Sequence, residues 1–224
     1  LFVQYKNYML GLVQGDLGTS IYKQRPITSE ILEALPATIE LTIGALVLAT
    51  LIGLPLGVLA AVKRNGLWDR SLSFLSMLGM SLPAYFLGPL LIWVFAILLD
   101  WFPVSERGDI SHLVLPSLSL AIPLGSVLLR MTRASVIEVI KQDYIRTARA
   151  KGVSFIGMYY RHALKNALIP ILTTLGLQLG ALLTGTVITE TIFDWPGIGT
   201  LLFTSIQQRD YPLVQGCVIF VSVT

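Results

Sequence analysis

The sequence predicts an all-α polytopic membrane protein, and three observations carry that prediction. Hydrophobic residues make up 54% of the 224 residues and charged residues only 13%, and the mean hydropathy is +0.74. These values exclude an ordinary soluble domain. Uncharged runs long enough to cross a bilayer recur along the chain. Lysine and arginine are concentrated in two of the segments that connect those runs, as they are in the cytoplasmic loops of membrane proteins.

Uncharged runs of 20, 22, 24 and 29 residues locate four predicted spans. At 1.5 Å of rise per residue, the shortest run forms a helix about 30 Å long, which matches the thickness of a hydrocarbon core. A fifth run is still uncharged after 14 residues, where the sequence ends, and we predict that it is an incomplete span. The predicted transmembrane domain is residues 36–224, with spans at 41–62, 71–99, 110–129, 166–189 and 211–224.

Residues 1–35 are predicted to lie outside the membrane as an extracytoplasmic interfacial segment, because charged residues interrupt every apolar run. Apolar side chains recur at roughly helical spacing from Tyr5 to Val13, which predicts an interfacial helix. Gly15 and Gly18 would end that helix. Since the chain starts at a leucine without a basic leader, we expect a first helix that is missing from this sequence.

The distribution of basic residues orients the chain. Residues 63–70 and 130–165 together hold 11 Lys and Arg against three acids, whereas the rest of the chain holds five against ten. Cytoplasmic loops carry the excess of Lys and Arg, so both segments are predicted to be inside, and 100–109 and 190–210 outside. The pI of about 9.1 therefore reflects topology and not a nucleic-acid partner, since no basic stripe is interleaved with aromatic residues.

The outer loop 190–210 combines acids and aromatic residues with a Pro-Gly turn in the sequence ETIFDWPGIG at 190–199. Residues 200–208 can then form a short amphipathic helix. Two interpretations stay open. An interfacial aromatic belt with a turn explains these residue types, and so does an outer cap or gate that meets another molecule.

Prolines and glycines are frequent inside the predicted spans. Each proline removes a backbone hydrogen bond, and kinked helices around a cavity would allow protein or water to satisfy the freed groups. Two pairs of glycines four residues apart, Gly53 with Gly57 and Gly176 with Gly180, predict close helix contacts. Glu40 is the ionisable residue near the start of a span, and an interfacial role fits it better than a transport role. The prolines are Pro55, Pro83, Pro89, Pro116, Pro123 and Pro170.

Sequence patterns of catalysis are missing from this chain. It has no Gly-Lys dipeptide, and therefore no phosphate-binding loop, and no Gly-x-Ser-x-Gly nucleophile turn. We therefore predict that it is not an enzyme and holds no cofactor of its own. Cys217 is the only cysteine, so no disulfide or paired-thiol metal site forms within the chain. Neither His112 nor His162 has a partner one helical turn away, and we interpret both as structural or solvated.

The inner loop 130–165 predicts a docking element. A helix can continue from the third span into this loop, and Gly152 can end it because glycine readily takes a positive φ. A second short helix at 155–163 would return the chain to the membrane. Two helices that meet at a glycine form a small, rigid projection for another protein's cleft, and an ordinary positively charged loop stays the alternative. The residues at the tip are Thr147, Ala148 and Ala150.

Several segments resemble the permeases of binding-protein-dependent ABC importers, in the dipeptide, oligopeptide and nickel branch. The inner segment DYIRTARAKG at 143–152 is similar to the coupling loop of that family, and the match continues through RHALKNALIP at 161–170. The other matching segments are GDLGTSI at 15–21, PATIEL at 36–41 and ETIFDWPGIG at 190–199. With Gly152 as the anchor, Arg146-Thr147-Ala148 stands where the general family has Glu-Ala-Ala.

The resemblance implies a fold like that of ABC importer type I permeases, a helical bundle with a cytoplasmic coupling helix, in the plasma (inner) membrane of a prokaryote. It implies a second homologous permease in a heterodimer, two cytoplasmic ABC ATPases that bind ATP and Mg, an extracytoplasmic solute-binding protein, and membrane lipid around the spans. The implied function is import of short peptides or a related small solute, with ATPase motion coupled to alternating access. The implied ATPase contacts are Tyr144, Thr147, Ala148, Ala150, Lys151 and Gly152, and the implied binding-protein contacts are Asp194, Trp195, Pro196 and Gly197.

An ATP-independent secondary transporter or channel subunit is the competing function. Such a protein needs ionisable residues well inside its spans for ion coupling or selectivity, and only Glu40 comes near. A purely structural membrane subunit would explain the spans and the charge bias, but not the glycine bend at Gly152.

Overall fold

The computed structural model describes residues 2–145 and 164–223, and helices form most of that part of the chain. Within it there is no β-strand, only an isolated bridge between Thr19 and Pro26. The predicted all-α fold is therefore confirmed. The helices are α1 (Phe2–Val13), α2 (Ile27–Val62), α3 (Leu67–Ser81), α4 (Ala84–Leu91) followed directly by a π-helix (Ile92–Leu98), α5 (Ile110–Ile140), α6 (Leu164–Gly185), α7 (Val187–Ile192), α8 (Ile198–Gln207) and α9 (Tyr211–Val223).

Three of the described helices, α2, α5 and α6, are long and apolar enough to cross a membrane by themselves. They coincide with the predicted spans at 41–62, 110–129 and 166–189, although α6 ends at Gly185 and α7 begins after a break. The fifth predicted span coincides with the shorter α9. The helix predicted at 200–208 is present as α8, and the helix predicted near the amino terminus is present as α1. Its interfacial position stays a prediction.

The predicted span 71–99 is not a single straight helix. α3 and the helical stretch Ala84–Leu98 meet at an angle of 103°. Pro83 explains the break, because the ring of a proline pushes the preceding residue out of the helical region. Leu82 accordingly has φ −82° and ψ 117°, which is extended. The proline therefore divides this span, where the sequence analysis expected a kink.

α3 and the helical stretch Ala84–Leu98 together still carry the chain from one end of the bundle to the other. At the end predicted to be cytoplasmic, which we call the inner end, Asp69 of α3 accepts a hydrogen bond from the amide of Asn65 at 2.8 Å, just beyond the end of α2. At the opposite end, which we call the outer end, Arg107 pairs with Glu40 of α2 at 2.8 Å. About 33 Å of helix separate Glu40 from the end of α2 at Val62. The chain from α3 through the π-helix therefore traverses the bundle, as a broken span would.

α2 and α5 form the central pair of the bundle, and glycines allow their backbones to approach closely. A Cβ added at Gly53 would lie 2.7 Å from the carbonyl oxygen of Gly125, and one at Gly57 would lie 2.7 Å from that of Leu129. The close contact predicted for this glycine pair is thus confirmed. Around Gly176 of α6, by contrast, an added Cβ would meet nothing within 4 Å, and the same holds for Gly180.

α2 is longer than a membrane span and builds much of the outer end. Its 36 residues correspond to about 54 Å, and it begins at Ile27, well before the predicted start of the span at residue 41. The surplus lies at the outer end, where it carries Glu30, Glu33 and Glu40. There Ile27 packs against Leu213 of α9, in an apolar cluster that also includes residues of α8. The outer segment therefore belongs to the packed fold.

Candidate functional site

A buried carboxylate organises the outer loop after α7. Glu190 is 0% exposed, and its Oε1 accepts hydrogen bonds from the hydroxyls of Thr38 at 2.8 Å and Thr186 at 2.9 Å. Its Oε2 accepts a hydrogen bond from the amide of Thr200 at 3.1 Å. A buried charge is costly unless it is hydrogen-bonded, and these three donors stabilise it. Because Thr38 belongs to α2, Glu190 joins the outer loop to the central pair of helices.

The glycines of the same loop are required by the position of that carboxylate. A Cβ at Gly197 or at Gly199 would lie closer than 3.0 Å to the carboxylate of Glu190. Thr38 also accepts a hydrogen bond from the amide of Ile198 at 2.9 Å, while its own hydroxyl donates to Glu190. The backbone of the loop therefore folds tightly around the carboxylate, and only glycine fits at the two closest points.

Two of the four predicted binding-protein contacts are buried inside this loop. Trp195 is 0% exposed, and its indole Nε1 donates a hydrogen bond to the carbonyl oxygen of Ala37 at 2.7 Å. Gly197 is buried against Glu190. Asp194, which has φ 50°, and Pro196 are exposed. The structure thus gives Trp195 and Gly197 roles inside the chain, and contact with a binding protein stays a prediction for Asp194 and Pro196.

A cavity of about 300 Å³ lies beside the loop, between the start of α2 and α8. Its acidic residues already have basic partners in the same chain. Glu30 pairs with Lys23 and, at 3.1 Å, with Arg25, and Glu33 pairs with Arg25. The charges at the cavity therefore stabilise the outer end itself, by fastening the segment before α2 to the first turns of that helix.

A second carboxylate, Asp210 at the start of α9, holds the turn at residues 20–25. The Ser20 hydroxyl donates a hydrogen bond to Asp210, and the amides of Ile21 and Tyr22 donate to it at 3.2 Å, with that of Leu213 at 3.3 Å. Burial opposes ionisation of Asp210, but the bonds from Ser20, Tyr22, Ile21 and Leu213 outweigh it and lower the pKa of Asp210 below its ordinary value. We call this contact the Asp210 clip.

The Asp210 clip should weaken only in acid. A carboxylate whose pKa is lowered by folding contributes stability above its unfolded pKa, near 4, and that contribution is lost as the pH falls through the folded pKa. The difference in Tm between the wild type and Asp210→Asn should thus be constant above about pH 5 and shrink below about pH 4. Thermal unfolding in detergent measures it. Asp109→Asn, at an exposed carboxylate with no side-chain cap hydrogen bond, is the control, and a difference that is independent of pH would contradict the prediction.

At the inner end, two side-chain contacts hold the helices that flank the predicted coupling loop. Arg133 of α5 makes a bidentate pair with the buried carboxylate of Asp69, with Nη2 donating to Oδ2 at 2.9 Å. Asn166 of α6 donates a hydrogen bond to the hydroxyl of Tyr144 at 2.7 Å. The second contact joins Tyr144, inside the predicted loop, to the start of α6 just after the loop. The loop therefore leaves and rejoins the bundle at neighbouring points.

The predicted ATPase contacts lie mostly beyond what the structure describes. Tyr144 is partly exposed at the base of the loop. Thr147, Ala148, Ala150, Lys151 and Gly152 lie outside the described residues, as does His162, and their roles stay predictions. α5 continues beyond the predicted span, as expected, but it ends at Ile140 and turn residues follow at Lys141 and Gln142. The prediction that this helix runs on to Gly152 is therefore wrong.

No cluster of three or more His, Cys, Asp or Glu that could hold a metal ion occurs among residues 2–145 and 164–223. The functional residues that sequence reasoning missed are Glu190 and Asp210. Glu190 starts the ETIFDWPGIG segment, which was noticed for its residue types. For Asp210 the sequence offers no comparable signal, because three of its four donors, Ser20, Ile21 and Tyr22, lie almost the whole length of the chain away.

Known proteins share both the sequence and the fold. Residues 53–224 match the family described as "Binding-protein-dependent transport system inner membrane component". The chain is 43% identical over 223 residues to the "Glutathione transport system permease protein GsiC" of Escherichia coli (strain K12), with 100% of this chain and 73% of that protein covered. The same values hold for the GsiC protein of Salmonella typhimurium (strain LT2). The fold is similar to a chain of the inward-facing MetNI methionine ABC transporter, with a TM-score of 0.70 at 18% identity, over 87% of this chain and 90% of that one.

Proposed function

Because the chain belongs to the family of binding-protein-dependent transport system inner membrane components, we propose that it couples the motion of cytoplasmic ATPases to alternating access of a path for short peptides. It is a permease subunit of a bacterial ABC importer, located in the inner membrane. The proposed partners are a second homologous permease in a heterodimer, two ABC ATPases that hold ATP and Mg, and an extracytoplasmic solute-binding protein.

The observation that carries the proposed cargo is the identity of 43% with glutathione permeases along the whole chain. Glutathione is a short peptide, so these relatives agree with the peptide branch that the sequence segments resemble. A cargo of about that size is therefore the first to test, with dipeptides and tripeptides beside it.

The described contacts at the inner end support the coupling part of the proposal. A coupling loop transmits force only if the helices at both of its ends are held in place. Arg133 fastens α5 to α3 through Asp69, and the Tyr144–Asn166 contact closes the base of the loop. ATP-driven closure of the ATPases would favour one arrangement of the permease through differential contacts with the loop.

Gly152→Asp should abolish coupled uptake while the membrane fold stays intact, because an acidic side chain would replace the glycine expected at the bend. Uptake of labelled glutathione into proteoliposomes that contain the whole transporter should fall more than about tenfold. Lys6→Asp, which puts the same acid on an exposed position of α1, is the matched control. Full uptake by Gly152→Asp would contradict the coupling role, and uptake driven by an ion gradient without ATP would favour a secondary transporter.

A further inference from the structure

An exposed cluster of cations lies at the inner end of the bundle, in the turn between α2 and α3. Lys63, Arg64 and Arg70 are all exposed. Among the described residues, none of the three has a side-chain hydrogen bond or an acidic partner within 4.0 Å. We call residues 63–70 the basic turn. Three positive charges at one turn attract an anion unless something else neutralises them.

The basic turn has a defined shape. Asn65 takes φ 63°, and the amide of Gly66 donates a hydrogen bond to the carbonyl oxygen of Lys63 at 2.9 Å. Asp69 is buried and accepts the amide of Asn65, while Arg133 of α5 neutralises its charge. The one acid of the turn is therefore already paired. The basic side chains project from a backbone that is fixed to the core of the bundle.

Apolar side chains adjoin the cations on the same turn. Leu67 is 82% exposed and Trp68 is 61% exposed at the start of α3. Exposed apolar residues continue along α3 toward the membrane interior, among them Phe74, Leu75 and Met77. Indole rings favour the boundary between headgroups and acyl chains, and Trp68 lies where such a boundary would adjoin the cations.

We propose that the basic turn binds the phosphate group of an anionic phospholipid in the inner leaflet, with an acyl chain along the exposed face of α3. Lys63, Arg64 and Arg70 supply the charge, Trp68 lies at the level of the glycerol backbone, and Phe74 and Met77 contact the chain. Cations beside a membrane gain from anionic lipid, and a turn of fixed shape loses little conformational entropy when the lipid binds. The result is a site that prefers phosphatidylglycerol to phosphatidylcholine.

The test compares lipid selectivity in the whole transporter, purified with its partner subunits. Spin-labelled phosphatidylglycerol and phosphatidylcholine give the relative affinity of the motionally restricted fraction by electron paramagnetic resonance. The preference for phosphatidylglycerol should fall about fivefold for each cation removed, and so about 25-fold in Arg64→Gln/Arg70→Gln. Lys6→Gln/Arg209→Asn removes two exposed cations elsewhere and should leave the preference unchanged.

Three outcomes would overturn the proposal. The first is equal lipid selectivity in the wild type and in Arg64→Gln/Arg70→Gln. This outcome includes the case in which the variant loses its ATPase subunits while its lipid selectivity is unchanged. The second is an equal loss in the control variant, which would show a general effect of net charge. In the third, soluble glycerol phosphate at millimolar concentration displaces the lipid label, and the turn is then a site for free phosphate groups. Thermal unfolding confirms that each variant is folded.

Discussion

Gly53→Ala/Gly57→Ala should destabilise the folded protein, although alanine forms helices better than glycine by about 1 kcal/mol for each residue. The new methyl groups would lie 2.7 Å from backbone oxygens of α5, at Gly125 and Leu129. A helix backbone cannot rotate away as a side chain can, so α2 and α5 must separate. Overpacking costs about 1 to 3 kcal/mol at each site, so about 4 kcal/mol for two sites, less about 2 kcal/mol gained in helix propensity, leaves an expected net loss of about 2 kcal/mol.

Gly176→Ala/Gly180→Ala is the matched control, because it makes the same chemical change at the same spacing in another helix. Added methyl groups there meet nothing within 4 Å in this chain, so the gain in helix propensity should remain. Thermal unfolding of the purified permease in detergent should give a Tm about 4 to 8 °C lower than that of the wild type for Gly53→Ala/Gly57→Ala. If both pairs shifted Tm alike, the close approach of α2 and α5 would be refuted.

Glu190→Ala should open the outer loop without dismantling the membrane helices. The change removes the acceptor of three hydrogen bonds, and it leaves the partly buried amide of Thr200 and the buried hydroxyl of Thr186 without their partner. Each orphaned donor costs about 1 to 3 kcal/mol, so the loop should lose about 3 kcal/mol of stability against local opening. A loss of about 3 kcal/mol corresponds to a roughly 100-fold larger fraction of molecules in which the outer loop is open.

Limited proteolysis from the outer side measures this opening, since cleavage of a transiently open segment follows its population. Thr191→Ala is the control. Thr191 is exposed and neighbours Glu190, and among the described residues its hydroxyl bonds only within α7, to the carbonyl oxygen of Val187 at 2.8 Å. Cleavage of Glu190→Ala at the rate of Thr191→Ala would show that the buried carboxylate does not hold the loop.

Hydropathy located the helices well because it reports the solvent around each segment. The uncharged runs that predict spans coincide with α2, α5 and α6, and Arg130 and Arg133 lie where α5 extends beyond its predicted span. Hydropathy carries no information, however, on whether the chain runs straight or bends within an uncharged run. The run at 71–99 is uncharged throughout, and the turn of 103° within it comes from one backbone restriction at Pro83.

Contacts between distant segments are the part that one sequence does not reveal. Gly53 with Gly57 and Gly176 with Gly180 are the same pattern, and only the structure shows which pair meets another backbone. The burial of Glu190 depends on a hydroxyl from Thr38, 152 positions earlier in the chain. An acid in an aromatic loop is more often exposed than buried. The structural role of Glu190 is therefore evident only from the positions of its hydrogen-bond donors in the structure.

The length of α2 has a mechanical consequence for a transporter. A continuous rod of about 54 Å converts a tilt of only about 5° at one end into a displacement of about 5 Å at the other. Because Glu190 fastens the outer loop to this rod through Thr38, the loop would travel with it. A small push on the cytoplasmic side could thus reach the far surface through the leverage of a single helix.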